Sequence, residues 1–382
     1  MSTYLLSPVR TLVGQGAWRE ALPWIEELGR RAFVLGGETA LRSADAVLKT
    51  LADRLDAVHI KTFRGECTEG AIDRVARAAA GFDLIVAFGG GKAIDAAKAA
   101  AVHNGVPCAT LPTSPATCAA YTPLSILHTE SGAYVESRRL PHPVAVTVVD
   151  PDLMIDAPPR LLAAGCVDAL ARAWDTFLAA RIRVPTIMAE LSVSICRRYW
   201  DETLRRHAAD AIGAHRERRV SDAFTRVVEA CIIGAGLAGE TGARFFGRSF
   251  SHALGYALGD CVDCTRFLHG EVVGLGVLVQ CVLDPETEIT LADMLAYFEE
   301  LGTPTRFADL GIRDVAGPPG RRLAEAAHGL IDRERAVPFP VTVEEIHNAM
   351  LAVERIGGSV DPKRPRPAKP DAGVPPHLRF LS

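Results

Sequence analysis

The chain has 382 residues, 48% hydrophobic and 23% charged, a composition that suits a globular protein with two cores and excludes a disordered one. A formal net charge of −4 gives no electrostatic reason to expect nucleic acid or an anionic membrane as partner. The nine scattered cysteines suggest no disulfide framework, Met1-Ser2-Thr3-Tyr4 lacks the basic start of a secretion signal, and no apolar run reaches spanning length, so a cytoplasmic protein is expected.

From the N-terminus, short apolar runs alternate with helical stretches. Residues 31–35, 57–60, 84–88, 108–111 and 144–149 read as buried strands, and about 39–55, 68–80 and 92–103 as helices. Such alternation predicts crossover units and a largely parallel sheet, giving an α/β domain over residues 1–155. After Asp150-Pro151 the pattern turns helical, with Pro158-Pro159 opening a helix, so an all-α domain is expected over 156–356. Residues 357–382 carry six prolines among lysines and arginines, a composition that favours an extended arm lying over a neighbouring subunit.

Within the first domain, Gly89-Gly90-Gly91-Lys92 follows the run 84–88 directly and opens the helix beginning Ala93-Ile94-Asp95. Strand, glycine turn and helix start in that order make a phosphate site: bare backbone approaches a pyrophosphate and the helix N-terminus offers unpaired N–H groups. The spacing is not G-x-G-x-x-G, and a plain strand-to-helix turn explains an isolated glycine run equally well. Cys261-x-x-Cys264 has no second CxxC to complete a zinc site and reads as structural or incidental.

Five segments carry a resemblance: GGGKAIDAAK at 89–98, LPTSPATCAAYTPLSIL at 111–127, AAGCVDALARAWDT at 163–176, SHALGYAL at 251–258 and FLHGEVVG at 267–274. In this order the chain resembles the iron-containing (group III) alcohol dehydrogenase superfamily from about residue 8 to 355, most of all its glycerol dehydrogenase branch. The resemblance implies a dehydroquinate synthase-like fold, with a nucleotide-binding α/β domain, an all-α domain and an active site in the cleft between them. It implies Asp168, His252 and His269 as catalytic ligands of one divalent metal. Two histidines and a carboxylate with open positions suit Fe(II) or Zn. Such an ion would polarise an alcohol or carbonyl oxygen while hydride passes to or from a nicotinamide, NAD or NADP. The same carry-over places the cofactor on Gly89, Gly90, Gly91, Lys92, Ala93, Ile94 and Asp95, and on Thr113, Ala116, Thr122, Leu124 and His128. At the adenosine end, Gly37 leaves space for a 2′-phosphate and Glu38 would repel one, so both cofactors stay open.

Two departures concern the substrate. Glycerol dehydrogenases carry a polyol-binding aspartate where this chain has Cys118, and ATCAAYTPLS is similar instead to hydroxycarboxylate dehydrogenases of the same superfamily. Arg248, four residues before His252 with Arg244 a further turn back, could point into the cleft and grip a carboxylate, or be a surface arginine paired with Glu240 or Asp260. The expectation is a dehydrogenase of a small or peptide-borne hydroxy acid, oxo acid or alcohol, with oxidative decarboxylation if the acid is a β-hydroxy acid. Alternatives are a glycerol or polyol dehydrogenase, a dehydroquinate synthase-like lyase or cyclase using NAD transiently, and a catalytically dead binding subunit, against which the intact Asp168, His252 and His269 argue. A homo-oligomer is expected.

Overall fold

The computed structural model describes residues 6–182, 184, 186–242, 246, 249–259, 266–287, 289–334 and 337–358. Arg244, Arg248, Cys261, Cys264 and the proline-rich arm from 359 onward lie outside the described residues. The first part is a parallel sheet of six strands: β1 (Arg10–Val13), β2 (Arg31–Gly36), β3 (Ala57–Thr62), β4 (Leu84–Gly89), β5 (Cys108–Pro112) and, after a hairpin, β8 (Val146–Val149). The hairpin strands β6 (Leu124–His128) and β7 (Tyr134–Arg139) pair antiparallel outside that sheet. The sheet runs in the order β1-β8-β5-β4-β2-β3.

The central strands are covered on both faces, which is why they read as unbroken apolar runs. Their alternation sorts the residues between two cores. Ala32, Val34, Leu84, Val86 and Phe88 pack under α1 (Ala17–Leu28) and α3 (Asp45–Arg54). Phe33, Leu35, Ile85 and Ala87 join the opposite core, with α4 (Glu69–Ala78) and α5 (Gly91–Asn104), and that core continues without a break into the helical part of the chain. Registers Gly36↔Phe88 and Gly89↔Pro112 bring the carboxyl ends of β2, β4 and β5 level, the usual ligand edge of an open parallel sheet.

Beyond β8 the described elements are helices. Three matter most: α6 (Pro159–Ala180), opened by proline at its first position, α11 (Phe250–Gly259) and α12 (His269–Leu283). Between α6 and α11, α7 (Ile187–Tyr199) and α9 (Asp222–Glu229) start on the side-chain caps Thr186 and Ser221. Glycines let the three long helices touch backbone to backbone. A Cβ on Gly165 of α6 would lie 2.0 Å from the Pro115 carbonyl oxygen, one on Gly270 of α12 would lie 1.9 Å from the Ala164 oxygen, and one on Gly276 would lie 2.4 Å from the Ser251 oxygen.

The expected strands and parallel sheet are present, with edges moved by one or two residues. The expected helix 39–55 is two helices, α2 (Glu38–Ser43) and α3, broken at Ala44. Elements without a sequence signal include β1, four residues with no fully buried side chain, α1, which carries Pro23 inside it, and the hairpin β6–β7. Substituting Gly165→Ala should cost about 1–3 kcal/mol or more, since neither α6 nor the 113–118 segment has room for a methyl group. Differential scanning calorimetry would show the transition lowered by several degrees; an unchanged transition would mean the two backbones separate freely.

Candidate active site

The glycine turn after β4 has the geometry that a phosphate needs. Gly89 takes φ +129°, a left-handed conformation that favours glycine. A Cβ on Gly90 would meet no atom within 4 Å, so open space lies over the turn. Gly90 caps the fourteen-residue helix α5 without any side-chain bond, leaving the first N–H groups for a ligand.

Of the other residues in this segment, Lys92 pairs with the buried carboxylate of Glu66, and Ala93, Ile94 and Asp95 are buried. Asp95 accepts from the Ile126 N–H (3.0 Å) and meets Lys98 (2.7 Å). Burial pushes its carboxyl pKa up against the pull of Lys98. Lys98 is itself buried and donates to the carbonyls of Ala119 (2.6 Å), Thr122 (3.0 Å) and Leu124. One cation thus ties α5 to the 113–124 segment. Thr113 is anchored through its N–H to the Gly89 carbonyl (3.1 Å), placing it beside the glycine turn. Ala116 is half-buried. His128 stands between the two halves of the site, sensing Glu66 and Lys92 on one side and His269 on the other. Its Nδ1 is buried without a partner, and burial lowers its pKa. At the adenosine end Glu38 is bridged to Arg42 (3.1 Å) and Arg64 (3.3 Å), which compensates its charge locally.

The metal constellation is assembled from three helices. Asp168 comes from the third turn of α6, His252 from the first turn of α11 and His269 is the first residue of α12. One ligand atom from each lies within 4.8 Å of the others, the only such group of three His, Cys or carboxylate side chains among the described residues. His269 Nε2 stands 3.5 Å from Asp168 Oδ1. The His269 ring is crowded by protein, which pushes its pKa down to about 4, yet 40% of its side chain is open to solvent. A group that is both crowded and reachable lines a cleft, and this one is neutral, as a ligand must be. The donor set, one carboxylate oxygen and two imidazole nitrogens, fits a divalent ion with coordination positions left over.

Sequence reasoning passed over the residue that orients this set. Asp175, fully buried, accepts from His252 Nδ1 (2.6 Å), the Ser251 N–H (2.8 Å) and the His252 N–H (3.3 Å). With Nδ1 engaged, Nε2 is the nitrogen left for a metal. The available signal was spacing: Asp175 is seven residues after Asp168, two helical turns, hence on the same face of α6. Glu271 does the same for α12. Its carboxylate takes Arg160 through two bonds (2.5 and 2.6 Å) and the Leu268 N–H (2.9 Å), fixing the backbone beside His269.

Two further residues face the centre. Cys118 is half-buried, and its thiol is pushed up to about 12 by burial first and then by Asp168, so it is a neutral SH at physiological pH. Arg172, on α6 between Asp168 and Asp175, is discussed below. Glu240, one of the partners considered for Arg248, is bridged to Arg139 (2.8 Å).

A glycine turn at the open edge of a parallel sheet, together with a group of two histidines and a carboxylate, is the combination a metal-dependent, nicotinamide-linked dehydrogenase needs. The family model for iron-containing alcohol dehydrogenases matches residues 8–151. A glycerol dehydrogenase from Pseudomonas putida is 31% identical over 364 residues, covering 94% of this chain and 98% of that protein. Hydroxycarboxylate dehydrogenase A from Escherichia coli K12 is 30% identical over 290 residues, 75% of this chain and 79% of that one. Among solved structures, a probable glycerol dehydrogenase from Sinorhizobium meliloti 1021 superposes with a TM-score of 0.78 at 29% identity, covering 94% of this chain and 100% of the other. The chain belongs to the iron-containing alcohol dehydrogenase family. It is an oxidoreductase that uses NAD(P) and one divalent metal and acts on a small molecule.

His252→Ala or His269→Ala should abolish turnover and leave the circular dichroism spectrum unchanged, because the ligands serve a catalytic centre and not a folding core. Asp175→Asn, which keeps the shape and loses the charge, should weaken metal binding about 10–100-fold in a competition titration with a chelator. Metal affinity at the wild-type level would show that His252 needs no orienting partner. Gly90→Val should fill the space over the turn and weaken cofactor binding at least tenfold by fluorescence titration, with metal content unchanged; equal cofactor affinity would reduce the loop to a turn.

Proposed function

We propose that this dehydrogenase interconverts a small hydroxy acid and its oxo acid, with Asp168, His252 and His269 holding the metal ion and the 89–95 turn with Thr113, Ala116, Thr122, Leu124 and His128 lining the nicotinamide site. Cys118 carries the reading. A polyol donates hydroxyl hydrogens and needs an acceptor such as a carboxylate, whereas a neutral thiol is a weak donor and weak acceptor. Similarity to a hydroxycarboxylate dehydrogenase agrees with this. The similarity to a glycerol dehydrogenase favours a neutral polyol as the second reading.

When bound, the ion polarises the reacting oxygen and the nicotinamide accepts or supplies the hydride. The chain's own groups do the positioning. Asp175 holds the proton on His252 Nδ1 and so presents Nε2. Burial keeps His269 unprotonated near neutral pH. Lys98 fixes the 119–124 carbonyls and, through them, the wall that carries Cys118. Tyr256, whose ring centre lies 4.2 Å from that of Tyr134 and 6.4 Å from that of His269, contributes an aromatic wall that limits water.

Location in the cytoplasm is supported by the seven described cysteines, all free, as a reducing compartment would keep them. No described helix is long and apolar enough to cross a membrane. A homo-oligomer is supported by the exposed Ile182, Val184, Ile187 and Leu191, gathered around the start of α7.

The test is a substrate screen with both nicotinamides on zinc- or iron-loaded protein, read at the reduced-nicotinamide absorbance. Lactate and glycerate should exceed 1,2-propanediol and glycerol in kcat/KM by at least about tenfold. Equal or reversed preference would make the protein a polyol dehydrogenase. Turnover without net reduced nicotinamide would instead reveal a lyase or cyclase.

A further inference from the structure

Arg172 is the one feature of the centre that the metal and cofactor readings leave unexplained. It sits on α6 four residues after Asp168 and three before Asp175, so the three side chains form one stripe on one helix face. Its flanking neighbours both point into the centre, one beside His269 and the other onto His252. Arg172 is half-buried, yet among the described residues its guanidinium has no hydrogen-bond or ion-pair partner. Its N–H donors are therefore open to water and available to an anion that displaces it.

The neighbours explain the vacancy. Asp175 is saturated by three donors from α11. Asp168 faces His269 within the ligand group. The groups that bear most on Arg172, after burial itself, are Cys118, Asp168, Asp175 and Tyr256, and Glu240, already bridged to Arg139, feels it too. Of these, only Asp168 and Asp175 are carboxylates. Elsewhere around the site Glu66 balances Lys92 and Glu240 balances Arg139. Two carboxylates, Asp168 and Asp175, balance a divalent ion, and the charge of Arg172 is left over. An aspartate at position 118 would neutralise it; the thiol does not.

We propose that Arg172 is the specificity-determining residue of this enzyme, its guanidinium receiving the carboxylate of the hydroxy or oxo acid while the acid's oxygen faces Asp168, His252 and His269. The proposal rests on the substrate class given above and assigns it to one side chain. A planar guanidinium takes both oxygens of a carboxylate at once, and partial burial strengthens the contact relative to water. An alcohol lacking the carboxylate would leave the charge unpaired, so the site selects against polyols as well as for acids.

The experiment uses 2-hydroxyisobutyrate, a tertiary hydroxy acid with no carbinol hydrogen to transfer, and its neutral amide. Both are titrated by calorimetry into zinc- and NAD-loaded wild type, Arg172→Gln and Cys118→Asp. Wild type should bind the acid about 30-fold tighter than the amide, the ratio expected for one desolvated charge-assisted contact. Arg172→Gln should bring the ratio near one without weakening the amide. Cys118→Asp, which supplies a fixed carboxylate to the same guanidinium, should do so independently, and it serves if the first variant does not fold. Steady-state kinetics should show the same change in the lactate to 1,2-propanediol ratio, mainly through KM. A wild type that prefers the acid together with a Cys118→Asp or folded Arg172→Gln protein that prefers it equally would overturn the role of Arg172 and leave the hydroxy-acid reading standing. A wild type with no preference would overturn both.

Discussion

The centre depends on one buried carboxylate. Asp175 receives two backbone N–H groups from the first turn of α11 and the ring proton of His252. The first contacts satisfy donors that a helix start otherwise leaves unpaired, and the negative charge meets the positive end of the helix dipole. The third fixes the imidazole. Helix position and ligand orientation are therefore set by the same group, which sits on the helix that also supplies Asp168. A shift of α6 relative to α11 would disturb the histidine and its own acidic counterpart together. A second polar tie reinforces this: Ser251 meets Gln280 of α12 (3.1 Å), and Gln280 donates to the Trp174 carbonyl of α6 (3.3 Å). The glycine contacts at Gly270 and Gly276 make such short ties reachable, since bulkier residues would hold the helices apart.

Much of the architecture was legible because its physical causes are local. Central strands buried on both faces write themselves as apolar runs, and the glycine turn before α5 needs a residue type, not a partner. The grouping of Asp168, His252 and His269 was legible only through spaced motifs, because α6, α11 and α12 are far apart in sequence and no local pattern states that they converge. Asp175, Lys98 and Glu271 were missed for a related reason. Each is a charged residue on a helix, which sequence alone reads as a solvated face, and each is buried by partners from other elements. The hairpin β6–β7 and the strand β1 escaped because short, mixed strands carry too little alternation. The arginine chosen from the sequence as the carboxylate grip, Arg248, was selected by helical spacing from His252. The same rule applied to Asp168 selects Arg172, whose surroundings the structure describes.

The elements around the cleft divide the work. Glycine-tight helices with buried polar ties carry Asp168, His252 and His269, where a displacement of one ångström would matter for orientation. The 113–124 segment carries Cys118 and is held to α5 chiefly through its own carbonyls by Lys98. A side chain on that segment can change without altering what Lys98 grips, because the grip is on backbone oxygen. Substrate choice at position 118 is thereby uncoupled from metal geometry, and the same frame can serve either a hydroxyl-accepting carboxylate or a neutral thiol. What the frame cannot do is leave the electrostatics unchanged: with an aspartate at 118 the leftover charge of Arg172 is consumed within the protein, and with a cysteine it is available to whatever anion enters the cleft.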